Sequence, residues 1–225
     1  MTQGELQAGG EEDRWRRERE LMVRQQILER GISSARLLEA MLAVPRHRFV
    51  PKDFVAQAYD DRPVHIGNGQ TISQPYMVAL MTDSLELAGT EKVLDVGTGS
   101  GYQAAILAEM TSHVHTVERI GDLSRDAERR LESLGYDNVT FHVGDGSTGW
   151  PQEAPYDAIL VAAAAQKVPE SLKSQLSPGG RLAIPVGEPS SQVLMLIEKT
   201  AKGFRTSEIC PCIFVKLIGV EGYTR

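Results

Sequence analysis

The sequence predicts an α/β fold, doubly wound around a mostly parallel seven-stranded sheet, with an antiparallel C-terminal strand and helices at the N-terminus. Three observations predict it. After residue 90, short apolar strands alternate with helical stretches of roughly 10–15 residues, the pattern of βαβ units. The strand EKVLDVG runs straight into glycines, and the Ala-rich helical segment YQAAILAEM follows. The last two strands are joined only by AKGF, too short for a crossover, so they run antiparallel to each other.

Each element has its own justification. Residues 1–13 are small, polar and Gly-bearing, which predicts a frayed end, and residues 1–20 read as a mobile extension. From Asp13 to Arg30, Leu21, Met22, Val23, Ile27 and Leu28 recur at i,i+4 and i,i+7 among mixed charges, an amphipathic helix ended by Gly31. Ser33 or Ser34 can cap a second helix through Met41 and Leu42, which Pro45 stops. VPRHRFVPKDF is then irregular. HVHTVE is a second sheet strand. Ile120, Leu123, Ala127, Leu131 and Leu134 share one helical face, and Gly135 closes it. NVTFHVGDG and YDAILVAAA are the third and fourth strands. VPESLKSQL is a helix with Pro169 in its first turn, and SPGG turns into RLAIPVG, the fifth strand. QVLMLIEK and a run near ICPCIFVKLIG complete the sheet. The domain division is 21–225 as one unit, with 21–90 helical and 91–225 forming the sheet.

Composition narrows the function classes. The 225 residues suit one globular domain able to bury a sizeable core without staples. The net charge of −6 argues against a general nucleic-acid or anionic-membrane binder. Cys210 and Cys212 are too few for a disulfide framework or a four-Cys zinc site, and they sit two apart, so they share a strand face and serve packing. His113 and His115 share a face for the same reason, without the further ligands a metal needs. No apolar run reaches membrane-spanning length, and the N-terminus has no apolar core of a signal peptide. A soluble, cytoplasmic protein is the expectation.

The ligand is read from the turn after the first sheet strand, Asp95-Val96-Gly97-Thr98-Gly99-Ser100-Gly101. A dinucleotide fingerprint from Gly97 needs glycine where Tyr102 stands, and a P-loop needs a glycine-lysine pair at Tyr102-Gln103. No Lys or Arg in the turn balances phosphate. Asp95 is poorly placed for a pyrophosphate and well placed for a cationic amino group. Glu118 ends the second strand, where a carboxylate can accept both ribose hydroxyls. Asp145 and Gly146 end the third, where Asp145 can accept from an adenine amino group. Either acid alone could be an ordinary turn residue. Together with the glycine turn they suit a neutral nucleoside with a cationic tail, such as S-adenosylmethionine.

The segments AYDDRPVHIGNGQTISQPYMVALMTDSL, VLDVGTGSGYQAAILA, GDG, DAILVAAAAQKVPESL and LSPGGRLAIPVG resemble, in order, the protein-L-isoaspartate O-methyltransferase family. The QTIS segment is the most selective part, since unrelated methyltransferases lack it. The resemblance implies a single-domain Rossmann-like fold that uses S-adenosylmethionine. It implies a protein-repair activity: methylation of the α-carboxylate of L-isoaspartyl residues in damaged peptides. A monomer is the expectation, and the charge balance and hydropathy give the expectation of no nucleic-acid or membrane partner. The resemblance also implies that Ser73 is the active-site serine, that Ile72 lines the cofactor, and that Val215 backbone groups help hold the peptide, with Thr71 and Gln70 nearby. The local chemistry agrees. Ser73 stands just ahead of Pro75, and Met77, Val78, Met81 and Leu85 follow at helical spacing, so its hydroxyl lies near a helix N-terminus, where a carboxylate is favoured. From spacing alone, a helix cap is the favoured reading of Ser73, and it is the resemblance that reverses it.

The chain departs from the family at Val64-His65, at Tyr76, and at Lys216, which stands where the family has proline beside the peptide site. His65 is a possible polar contact for substrate. Two other readings compete. A methyltransferase acting on RNA or a small molecule is disfavoured by the acidic balance and by VAAAAQKVP after the fourth strand, which offers no grip for an exocyclic amine. A binding module without turnover is kept open by Lys216.

Overall fold

The computed structural model describes residues 3–224. Helix α1 spans Gln3–Met22 and continues through a π turn, Val23–Ile27, and a 3₁₀ turn, Leu28–Arg30. The helix therefore starts well before Asp13 and runs through most of the 1–20 stretch expected to be a mobile extension. Gly31 ends it with φ 95°, as a left-handed cap requires. Helix α2, Ala35–Ala43, follows Ser34 and stops before Pro45. Residues 46–57 form two 3₁₀ turns.

A short hairpin comes next: β1, Val64–Gly67, and β2, Gln70–Ile72, antiparallel. Its turn holds Gly67, Asn68 and Gly69 at φ 92°, 52° and 69°. Helix α3, Pro75–Ser84, leads to the main sheet.

The sheet has seven strands in the order β5-β4-β3-β6-β7-β8-β9. They are β3 Lys92–Val96, β4 His113–Glu118, β5 Val139–Val143, β6 Tyr156–Val161, β7 Leu176–Glu188, β8 Ser191–Thr200 and β9 Gly203–Cys212. The first five are parallel; β8 is antiparallel to both neighbours. Helices α4 Tyr102–Met110, α5 Gly121–Ser133 and α6 Glu170–Ser174 make crossovers. Side chains alternate across the sheet as its pleat dictates. Val93, Leu160 and Ala183 pack toward α2, α3 and α4, whereas Leu94, Ile159 and Leu182 pack toward Leu172 and Leu176. Both faces are covered, which is why these strands read as continuous apolar runs.

Three local expectations are corrected. Pro169 is the N-cap of α6 rather than in its first turn. Ser177-Pro178-Gly179-Gly180 lies within β7, not ahead of it. The last strand covers Gly203–Cys212 and not the FVKL run. The reason is that β8 begins at Ser191, so beyond Cys212 the ladder has no partner strand. The Gln192 side chain supplies one last rung: its amide donates to the Phe214 carbonyl at 3.2 Å and accepts from the Phe214 N–H at 2.6 Å. The chain then crosses the carboxyl end of β6, where Ala164 N–H donates to Val215 C=O at 2.8 Å and Leu217 N–H to Ala164 C=O at 2.7 Å.

Candidate active site

The order of the sheet fixes where a ligand sits. From β3 the chain moves outward to β4 and β5, then returns to the other side of β3 as β6. Ligands of such sheets bind at this reversal, beyond the carboxyl ends of the strands. A cavity of about 370 Å³ lies there. Its walls are the β2 end with Ile72 and Ser73, the turn residues Gly97–Ser100, Glu118, Gly146, Ala162, and the segment Val215–Ile218; Gly101, expected at the cofactor, is not on the wall and packs against α5 instead.

The glycine turn is shaped by its neighbours. Gly101 caps α4 at φ 88°, and a Cβ there would lie 2.7 Å from Leu131 Cδ1. A Cβ on Gly146 would lie 2.7 Å from Val96 Cγ1, so the floor of the cavity admits no side chain at that point. Glu118 braces the turn. One carboxylate oxygen accepts from Gly99 N–H at 3.0 Å and the other from Ile120 N–H at 2.9 Å. Each oxygen keeps a lone pair for a further donor.

Asp95 is placed differently from the expectation. It is fully buried at the end of β3 and is not part of the cavity wall. Its Oδ2 accepts from the Thr116 hydroxyl at 2.8 Å. Thr116 has only that one proton, so in its 2.6 Å contact with Thr98 it is Thr98 that donates. Asp95 thus orients Thr98, which lines the cavity, through Thr116. Its Oδ1 has no partner. Burial pushes the carboxyl up to about 7, against the Thr116 hydrogen bond and with a smaller contribution from Glu118.

Asp145 is also turned away from the cavity wall. One oxygen accepts from the Ser147 N–H and hydroxyl, at 2.9 and 2.7 Å, and the other from Val220 N–H at 2.8 Å. Burial alone would raise its pKa; these hydrogen bonds together outweigh it and hold the carboxyl below its usual range. Asp145 fastens the C-terminal segment over the third strand end, and only its neighbour Gly146 reaches the cavity.

Ser73 and Ile72, singled out by the resemblance, both line the cavity. Ile72 is buried, and Ser73 opens on the cavity one residue before Gln74, the N-cap of α3. The capping alternative for Ser73 therefore fails by one residue. Gln70 and Thr71 also line the cavity. Val215 is a wall residue, but its carbonyl is already engaged by Ala164. His65 is exposed beside Phe54 and is not on the wall.

His113 and His115 lie 4.8 Å apart, ring to ring, on one face of β4. His115 hydrogen-bonds His142 at 3.1 Å, and burial pushes it down to about 4. Cys210 and Cys212 pack against the core as free thiols. Among the described residues, no group of three His, Cys, Asp or Glu is placed to hold a metal ion. Sequence reasoning missed the β1–β2 hairpin and the wall residues Ile120, Leu217 and Ile218. Asn68-Gly69, a common hairpin turn pair, was the available signal for the hairpin.

The cavity fits a nucleoside with a cationic tail. It has a side-chain-free glycine floor at Gly146, a braced carboxylate with lone pairs left to accept from a ligand, no base in the turn, and an orphaned acidic oxygen behind it. Fold and site together define an S-adenosylmethionine-dependent methyltransferase. Residues 16–222 match the family model described as Protein-L-isoaspartate(D-aspartate) O-methyltransferase (PCMT). The chain belongs to that family.

Its relatives agree. A Protein-L-isoaspartate O-methyltransferase of Trichlorobacter lovleyi is 55% identical over 206 residues, 91% of this chain and 95% of the relative. One from Pelotomaculum thermopropionicum is 48% identical over 96% of both chains. Among solved structures, a protein-L-isoaspartate O-methyltransferase aligns with TM-score 0.82 at 30% identity, covering 91% of this chain and 67% of that one. A Plasmodium falciparum protein of the same designation, solved in complex with S-adenosyl-L-homocysteine, aligns with TM-score 0.78 at 28% identity, covering 89% and 98%.

Proposed function

We propose that the enzyme methylates the α-carboxylate of L-isoaspartyl residues in damaged peptides and proteins, giving a methyl ester and S-adenosylhomocysteine. The observation that carries the reading is the juxtaposition in one cavity of the glycine turn with Ser73 of the QTIS segment. When bound, S-adenosylmethionine supplies an electrophilic methyl group on a sulfonium. The chain's residues supply position. Glu118 accepts the ribose hydroxyls, and Thr98, held by Thr116 and Asp95, keeps the turn in register. The Ser73 hydroxyl, beside the N-terminus of α3, donates to one oxygen of the substrate carboxylate and leaves the other facing the methyl group.

No general base is needed. An α-carboxyl with a pKa of about 3.3–3.7 is already ionised at neutral pH. The protein's work is alignment and partial removal of water from the carboxylate. The reading includes action as a monomer in the cytoplasm, without nucleic acid. No helix among the described residues is long and apolar enough to cross a membrane.

The test uses labelled S-adenosylmethionine with two peptides that differ only in Asp against isoAsp. Label should enter the isoaspartyl peptide alone; equal labelling of both, or none, rejects the reading. Ser73→Ala should lower turnover roughly 10- to 100-fold while cofactor affinity stays within about twofold, the size of one charge-assisted hydrogen bond. A wild-type rate in that variant would leave Ser73 no part in the reaction.

A further inference from the structure

Arg46 is among the largest completely buried side chains, at 0% exposure. It stands in the 3₁₀ turn Arg46–Phe49, far in sequence from the glycine turn. Its Nε donates to the Ala58 carbonyl at 2.6 Å, and its Nη2 donates to the Ser73 carbonyl at 2.7 Å. Its Nη1 has no partner, and neither does the hydroxyl of Tyr102, whose ring lies 4.8 Å from the guanidinium carbon. Both Ser73 and Tyr102 line the cavity. Arg46 makes no salt bridge among the described residues; its hydrogen-bond partners are two neutral carbonyls. A guanidinium stays charged even when buried. A buried charge without a counter-ion is costly, and groups held in such unfavourable electrostatic settings cluster at functional sites.

We propose that Arg46 is a positioning residue for the methyl-transfer reaction. It fixes Ser73 through the Ser73 carbonyl, and its uncompensated positive charge favours docking of the isoaspartyl carboxylate at the Ser73 hydroxyl. The inference rests on the role proposed for Ser73. It differs from a plain structural staple between Ala58 and Ser73, which would hold the backbone but give no preference for an anionic substrate.

The two effects separate in steady-state kinetics with an isoaspartyl peptide, using Arg46→Lys and Arg46→Gln, with S-adenosylhomocysteine affinity measured by calorimetry on the same samples. Lysine keeps the charge but lacks the fork that spans both carbonyls. It should lower kcat about tenfold and leave KM within about threefold. Glutamine removes the charge as well and should raise KM roughly tenfold further. S-adenosylhomocysteine affinity should stay within about twofold in both. Equal KM values in the two variants would overturn the proposal, as would cofactor affinity falling in step with kcat/KM. If the glutamine variant does not fold, the lysine variant decides: a wild-type kcat, or a KM raised by more than about threefold although the charge is kept, overturns the proposal, and a lowered kcat with KM and cofactor affinity intact supports it. Failure of the wild-type enzyme to tell isoAsp from Asp sinks the parent reading. Normal wild-type discrimination with indifferent Arg46 variants sinks this inference alone.

Discussion

Asp95→Asn should stabilise the ligand-free protein, and increasingly so as pH rises. The carboxyl is wholly buried, one oxygen has no partner, and burial carries its pKa from 3.8 to about 7. The unfolded chain titrates near 3.8, so the folded state binds the proton more tightly. The resulting penalty is absent below 3.8, grows as pH rises, and is complete above about 7. At 1.36 kcal/mol per pH unit it reaches about 4 kcal/mol at pH 8 and about 1.5 kcal/mol at pH 5. Asparagine carries no such penalty. Its amide oxygen can still accept from Thr116, while its N–H₂ group, left unsatisfied, costs about 1–2 kcal/mol at every pH alike. The pH-dependent part is therefore the prediction. The stability difference, variant minus wild type, should be roughly 2.5 kcal/mol larger at pH 8 than at pH 5.

Urea unfolding at the two pH values measures this directly. Taking the difference removes His115, whose depressed pKa makes the fold lose stability as pH falls from 6.5 toward about 4 in both proteins. A difference that does not change with pH, or that shrinks at pH 8, would show that the charge of Asp95 is already compensated in the folded chain. The same substitution should weaken cofactor binding, because the orphaned oxygen is the acidic group set behind a cationic ligand. Stability gained and affinity lost together would mark Asp95 as strained for function.

The other predictions concern the cavity wall. Glu118→Gln should weaken S-adenosylhomocysteine binding roughly 10- to 100-fold, since one oxygen becomes an N–H₂ group facing the N–H of Gly99 or Ile120. Calorimetry checks it, and unchanged affinity would remove Glu118 from the ribose site. Lys216 is exposed on the wall, its Nζ 5.4 Å from the Tyr223 ring, and it makes no salt bridge among the described residues. Lys216→Glu should cut kcat/KM several-fold for peptides with an acidic residue beside the isoaspartate and spare those with a basic one. Identical effects on both peptides would assign Lys216 no part in selecting sequence.

What was legible in the sequence follows from how locally each feature is encoded. The sheet strands were readable because burial on both faces forces unbroken apolar runs such as VLDV and AILV. The glycine turn was readable because its backbone excludes side chains. Pro75 made the start of α3 readable, but it was the resemblance of the QTIS segment to the family, not the spacing, that singled out Ser73. The errors fall where partners are distant. The side chains of Asp95 and Asp145 were assigned by position at strand ends. Whether a carboxylate there faces ligand or protein depends on Thr116 and Val220, 21 and 75 residues away. The FVKL run looks like a strand by composition, and it leaves the sheet because β8 has ended, a fact held by residue 191 and not by residues 214–217. Arg46 is the extreme case. An arginine between Pro45 and His47 has no local mark of burial. Its importance comes from two carbonyls, 12 and 27 residues downstream, that converge on one guanidinium. The cofactor half of the site is thus written in contiguous motif, because a nucleoside is held largely by backbone. The carboxylate half is assembled from scattered residues, because it must hold a charge in place. Substrate selectivity in this enzyme should therefore respond to substitutions outside every recognisable motif, with Arg46 the first to examine.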